Sequence, residues 1–270
     1  MVRTAHPTRM QTFTVHHGTA PLLISLPHDG TQVPADLVGR LTDPARAVPD
    51  TDWFVSRLYG FARSLGASII QPVFSRYVVD LNRPPDDASL YPGRNTTGLC
   101  PIARFDGGPV YLEGHEPTPQ QVAERVDRYW RPYHQALAAE LHRLRLEHKR
   151  VLLWEGHSIR SRVPFLFEGT LPDLNLGTAD GASCDPGLQS RLQRVLLEQS
   201  DYTEVVNGRF KGGYITRNYG QPDKGIDAVQ LELAQSTYMD EDSGKWDEAK
   251  ASKLQGLLRK LLVAGIAYEH

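Results

Sequence analysis

Short apolar runs that stop at polar, chemistry-bearing residues recur along this chain. Pro21-Leu22-Leu23-Ile24 leads into Ser25-Leu26-Pro27-His28-Asp29-Gly30. Val151-Leu152-Leu153-Trp154 leads into Glu155-Gly156-His157, Tyr77-Val78-Val79 into Asp80-Leu81-Asn82-Arg83, and Ala228-Val229-Gln230-Leu231 into Glu232. Runs of this length read as buried strands, and open α/β sheets carry their sites at the carboxyl ends of such strands. Ala67 to Val73, Phe165 to Phe167, Val205 to Asn207 and Gly213 to Thr216 read as further strands. Phe13-Thr14-Val15 reads as an edge strand that His16-His17-Gly18 turns back toward the Pro21 to Leu26 strand. From Ile226 to Leu233 the pattern alternates, with Val229, Leu231 and Leu233 on one face and Gln230 and Glu232 on the other.

Elsewhere the period lengthens. Phe54, Val55, Leu58, Phe61, Ala62 and Leu65 recur at helical spacing between Asp50 and Leu65, and Gly66 supplies the stop. One of Asp50 and Asp52 suffices to cap that helix, which leaves the other to face a site. Pro119 opens a helix to about Lys149, with Val122, Val126, Trp130, Tyr133, Leu137, Leu141 and Leu144 on one stripe. Pro132 is expected to kink or divide it. Pro186 to Gln199 and about Trp246 to Ala264 read as two more helices. Leu90 to Thr118 has little periodicity, and a loop of that length reads as a lid, a binding loop or a disordered segment.

Composition narrows the class. No linker or composition shift divides the 270 residues, so one domain over 1–270 is expected. With 30 basic and 32 acidic residues, nothing in the charge points to nucleic acid. No apolar run is long enough to span a bilayer, so no membrane partner is expected. Two cysteines make no disulfide framework, and Met1 to Gln11 lacks the apolar core of a signal peptide. The expected location is cytoplasmic.

The strand ends hold the candidate chemistry. His28 and His157 each follow an apolar run with a glycine beside them, and Glu155 stands two residues before His157. Pro84 and Pro85 stiffen the chain past Arg83, which suits a fixed guanidinium gripping a carboxylate, the alternative being a surface salt bridge to Asp86 or Asp87. Arg217 reads either as an anion contact or as a solvated loop arginine. His134, His142 and His148 lack the helical pairing of a zinc site and read as surface or packing residues. Cys100 has no histidine at a nucleophile's local spacing.

Taken together, Pro27-His28-Asp29-Gly30, Asp50-Thr51-Asp52-Trp53, Ser75 to Pro85, Gly156-His157-Ser158 and Leu231-Glu232-Leu233 resemble the N-formylglutamate amidohydrolase family. The resemblance runs from about Pro21 to Met239. It implies a carboxypeptidase-A-like zinc-hydrolase fold, a three-layer α/β/α sandwich around a central mixed sheet. The Asp80-Leu81-Asn82-Arg83 run also resembles the aspartoacylase and succinylglutamate desuccinylase branch. By resemblance, His28, Asp52 and His157 hold Zn²⁺, with Asp52 chosen over Asp50 by alignment, and Glu232 is the general base. Asn82 and Arg83 hold one substrate carboxylate. N-formyl-L-glutamate has a second, for which Arg217 and then Arg94 are the candidates. Glu155 departs from the aspartate the resemblance leads one to expect there.

The implied reaction is hydrolysis of N-formyl-L-glutamate to L-glutamate and formate. A deacylase for another N-acyl acidic amino acid and a small-peptide carboxypeptidase share that chemistry. A non-catalytic dicarboxylate-binding protein is the alternative from another class, and Glu232 discriminates against it. A cysteine amidase using Cys100 or Cys184 is the third reading.

Overall fold

Side chains alternate across a strand, and here the alternation feeds two cores. The structure, a computed structural model, describes residues 11–90, 93 and 96–268. Leu22, Ile24, Leu152, Trp154, Val229 and Leu231 enter one core, and Leu23, Val151, Leu153 and Ala228 enter the other. Between the cores lies one seven-stranded mixed sheet, made of β1 (Phe13–His16), β2 (Leu22–Ser25), β3 (Ser68–Pro72), β4 (Val151–Ile159), β5 (Leu174–Gly177), β6 (Glu204–Val206) and β7 (Ile226–Ala234). Their order is β1-β3-β2-β4-β7-β5-β6. Strands β3, β2, β4 and β7 are parallel, and β1 and β5 join them antiparallel.

Helices cover both faces, giving the expected three layers. The helices are α1 (Ala35–Val38), α2 (Asp43–Arg46), α3 (Val55–Leu58), α4 (Pro119–Arg125), α5 (Arg131–Glu147), α6 (Pro186–Leu197), α7 (Tyr214–Tyr219) and α8 (Glu248–Ile266). Helices α3, α6 and α8 pack Leu58, Leu192 and Leu258 into the first core, and α5 packs Leu137, Leu141 and Leu144 into the second. A fully buried leucine contributes about 1.5–3 kcal/mol, so these stripes anchor the layers. The chain leaves β2 for β3 on one side, then returns past β2 to β4 on the other. The carboxyl ends of β2 and β4 therefore flank a topological switch point, where such sheets open a crevice.

Several expected elements take another form. β1 is an edge strand, but it pairs with β3, because both edges of β2 are taken by parallel partners. Tyr77, Val78, Val79 and Leu81 are buried as an apolar run should be, yet they lie in turns, with Val78 N–H bonded to Ser75 and Asp80 N–H to Leu99. Phe165 to Phe167 is a turn on Val163, and Gly213 to Thr216 opens helix α7. The Asp50 to Leu65 periodicity yields only α3 and a 3-10 segment, Gly60–Leu65, since Phe54 takes a left-handed φ of 62°. Ahead of Pro132 the long helix passes through a π turn, Val126–Trp130, closed by Arg131 N–H on the Val126 carbonyl. Strand β5 is too short and too rich in Asn and Gly to be heard in the pattern. Among the described residues, no helix is long and apolar enough to cross a membrane.

Candidate metal centre

The loop that leaves β2 brings His28 into the crevice. Gly30 is needed there for close approach by the protein's own chain, since a Cβ would stand 2.1 Å from the Phe74 carbonyl oxygen. Asp52 N–H donates to the His28 carbonyl at 3.1 Å, which ties the second loop to the first. Neither member of the Asp50/Asp52 pair caps α3; Asp29 accepts the Ser56 N–H instead, at 3.0 Å. The pair then divides. Asp50 accepts from the Tyr77 hydroxyl at 2.7 Å and from Phe105 N–H at 2.9 Å, while Asp52 joins His28 and His157.

His157 lies inside β4, two residues before its end, and not past it. Glu232 is its register partner on β7, and Glu155 pairs with Gln230. All four side chains emerge on the face that carries Leu153 and Ala228, so the polar site continues that core toward the strand ends.

Both imidazoles are held the same way. His28 Nε2 is 2.7 Å from Asp80 Oδ1, and His157 Nε2 is 2.6 Å from Glu155 Oε1. Their Nδ1 atoms both turn to Asp52 Oδ2, at 3.8 and 2.9 Å. Carboxylates behind two histidines, fixing the ring orientation while the other nitrogens converge, form the support that metal-ligating histidines have. One ligand atom each from His28, Asp52 and His157 lies within 4.8 Å of the others, and all three residues are buried. The group could hold a metal ion.

Electrostatics agree with a cation there. Asp52, Asp80, Glu155 and Glu232 are buried around the two rings, faced by Arg76 and Arg83. Arg76 is 2.7 Å from Asp80 and 3.8 Å from Asp52. Burial, reinforced by Arg76, pulls the His28 pKa down and keeps its ring neutral. Burial acts the same way on His157, but its bonds to Asp52 and Glu155 outweigh it and hold the imidazole well above its usual range. A positive charge is thus stabilised where the nitrogens and Asp52 meet, as a proton or as a metal ion. Burial raises the Glu232 carboxyl to about 8, with Asp52 and Glu155 adding repulsion against the opposing pull of His157 and Arg76.

Asn82 and Arg83 line the same cavity. Asn82 Oδ1 accepts from Ile215 N–H at 2.9 Å, which turns its Nδ2 to within 3.1 Å of His157 Nε2. Gly213 makes room for that arrangement, since a Cβ would sit 2.2 Å from Nδ2. Arg217 is elsewhere: it is exposed on α7, and its Nε donates to the Gly212 carbonyl. Arg94 lies outside the described residues. The cavity wall also holds two arginines that sequence reasoning did not single out: Arg76, and Arg209 with Phe210 beside it. For Arg209, only its place directly before the Phe210-Lys211-Gly212 connection could have drawn notice. Cys100 and Cys184 are buried away from this wall, with thiols pushed up to about 11 and about 12 by burial, so neither is a ready nucleophile.

The chain resembles known proteins over most of its length. The family model described as N-formylglutamate amidohydrolase matches residues 20–239. The N-formylglutamate deformylase of Pseudomonas putida is 52% identical over 254 residues, covering 94% of this chain and 95% of that one. The N-formylglutamate deformylase of Pseudomonas aeruginosa is 51% identical, covering 93% and 94%. Among solved structures, N-formylglutamate amidohydrolase from Ralstonia eutropha JMP134 superposes with a TM-score of 0.78 at 28% identity, over 95% of this chain and 96% of that one. A gene product of Agrobacterium tumefaciens, Atu2144, shares the fold, with a TM-score of 0.68 at 18% identity over the same shares.

Proposed function

The chain belongs to the N-formylglutamate amidohydrolase family, and from that premise we propose that it hydrolyses N-formyl-L-glutamate to L-glutamate and formate. The observation that carries the metal-dependent form of this reading is the convergence of both Nδ1 atoms on Asp52, with Glu232 on the adjacent strand. His28, Asp52 and His157 are a His₂–carboxylate set of the kind that binds catalytic Zn²⁺, and the same set accepts Co²⁺, Mn²⁺ or Fe²⁺. When bound, such an ion supplies Lewis acidity to a carbonyl and to a water.

The protein's own groups do the rest. Asp80 and Glu155 keep the two imidazoles in one tautomer and orientation. Glu232 takes a proton from the attacking water and returns it to the nitrogen of the leaving amine. Its burial without a hydrogen-bond donor among the described residues leaves a carboxylate with a raised proton affinity, and a neighbouring cation brings that affinity back toward neutrality. A dicarboxylate-binding protein has no use for such a group. Arg83, with the Asn82 amide, binds one substrate carboxylate, and Arg209 replaces Arg217 as the partner of the other. The 90–118 loop closes over part of this pocket through Leu90, Thr96, Thr97 and Phe105.

One sheet lies between the two cores and feeds side chains into both, which supports treating 1–270 as one domain. Two buried, free cysteines support a reducing, cytoplasmic setting. The test is formate release from N-formyl-L-glutamate by purified protein, before and after chelation and return of Zn²⁺. Release that stops and returns supports the whole reading. No release from zinc-loaded protein overturns the substrate assignment, and release that survives chelation overturns the role of the metal.

A further inference from the structure

The Asp80 to Arg83 segment serves the site three times over. Asp80 backs His28, Asn82 touches His157, and Arg83 lines the cavity. It belongs to no strand or helix, so no ladder holds its backbone. Its three successive carbonyls are nevertheless each bonded, and each to a different donor. Leu81 O accepts from His134 Nε2 at 2.8 Å, Asn82 O from Tyr214 N–H at 3.1 Å, and Arg83 O from Trp130 Nε1 at 2.9 Å.

Two of these donors come from one helix. Trp130 ends the π turn and His134 follows four residues later, so both face the same way. Their rings stack at 3.7 Å between centroids. The partners fix the histidine's proton: a carbonyl only accepts, so Nε2 carries it, and Nδ1 accepts the Tyr219 hydroxyl at 3.0 Å. Tyr219 closes α7, whose first turn donates to Asn82 and Glu155. His134 is buried throughout and touches nothing in the cavity. π turns often occur where a functional side chain must be aimed.

We infer that Trp130 and His134 are positioning residues: by holding the carbonyls on either side of Asn82, they set where Asn82 and Arg83 meet the substrate carboxylate. The kinetic half of the test rests on the proposed reaction, and the exchange half does not.

Trp130→Phe keeps the ring and removes the donor, His134→Leu removes the donor and the stack, and His134→Gln keeps an N–H of similar reach. In metal-loaded protein, amide hydrogen exchange at Asp80 to Arg83 is expected to rise about tenfold in the first two, the scale of one lost hydrogen bond. Exchange in Val151–Ile159 stays unchanged. KM for N-formyl-L-glutamate rises about tenfold while kcat stays within about threefold, and His134→Gln recovers most of both effects. Unchanged exchange at Asp80 to Arg83, or a rise spread over the sheet with KM unmoved, overturns the inference. If the wild type releases no formate, the substrate reading falls and the exchange result still decides this one.

Discussion

His157 and Glu232 are register partners on adjacent parallel strands, buried on the same face of the sheet. The proposed metal ligand and the proposed general base are thereby fixed relative to each other by the backbone ladder itself. Strand neighbours stand about 4.8 Å apart, a separation that no loop motion alters. Side chains of that rigidity are what a preorganised site requires.

Glu232→Gln keeps the shape and removes the proton acceptor. Formate release should fall by about 10²–10⁴-fold, with metal content by elemental analysis unchanged. Turnover near wild type would sink the general-base role.

Asp80→Asn and Glu155→Gln each take the charge from behind one imidazole. Each is expected to lower metal affinity about 10–100-fold, read by competition with a chromophoric chelator. The fold should persist by circular dichroism. Unchanged affinity in both would mean that the imidazoles are not metal ligands.

Arg209→Ala and Arg217→Ala separate the wall of the cavity from its outside. The first should raise KM for N-formyl-L-glutamate about tenfold or more, the order of a lost charge-assisted hydrogen bond. It should have much less effect on N-formyl-L-glutamine, which lacks one carboxylate. The second should change neither. The opposite pattern would restore Arg217 as the specificity residue.

Acid stability should depend on Glu140, which does not line the candidate site. Its buried carboxylate accepts from Arg143 at 2.6 Å, Ser68 at 2.5 Å and His17 at 2.7 Å. Burial raises its pKa, but these bonds win and bring it down to about 2. A depressed carboxylate stabilises the fold above its unfolded value of about 4.3, and loses that contribution as pH falls toward 2. The contribution is at most about 3 kcal/mol at pH 7. Glu140→Gln should therefore be less stable to urea at pH 7, with the gap roughly halved by pH 3. A gap that stays constant with pH would contradict the assignment.

The apolar runs were sufficient for the central strands. Leu22 to Ile24, Val151 to Trp154 and Ile226 to Leu233 can be buried on both faces only inside a sheet. Polar residues following such runs must sit at its carboxyl edge, which is why His28, His157 and Glu232 were legible as neighbours. The same logic misread Tyr77 to Leu81, because burial in a turn and burial in a strand select the same side chains. It misread Gly213 to Thr216 for the converse reason: α7 is short, and its first N–H groups are satisfied by Asn82 and Glu155, far away in sequence.

By itself the sequence determined the central buried strands, the helix stripes that cover them, and the kinds of residue that end them, since these follow from local hydrophobic period. Tertiary structure alone decided which of Asp50 and Asp52 meets the histidines, that Arg209 and not Arg217 lines the cavity, and that His134 reaches the Leu81 carbonyl. Asp50 depends on Tyr77, Arg209 on Leu166 and His134 on Leu81, partners 27, 43 and 53 residues away. Periodicity carries no information about pairings at that range. The fold sets them when it satisfies every buried donor and acceptor at once.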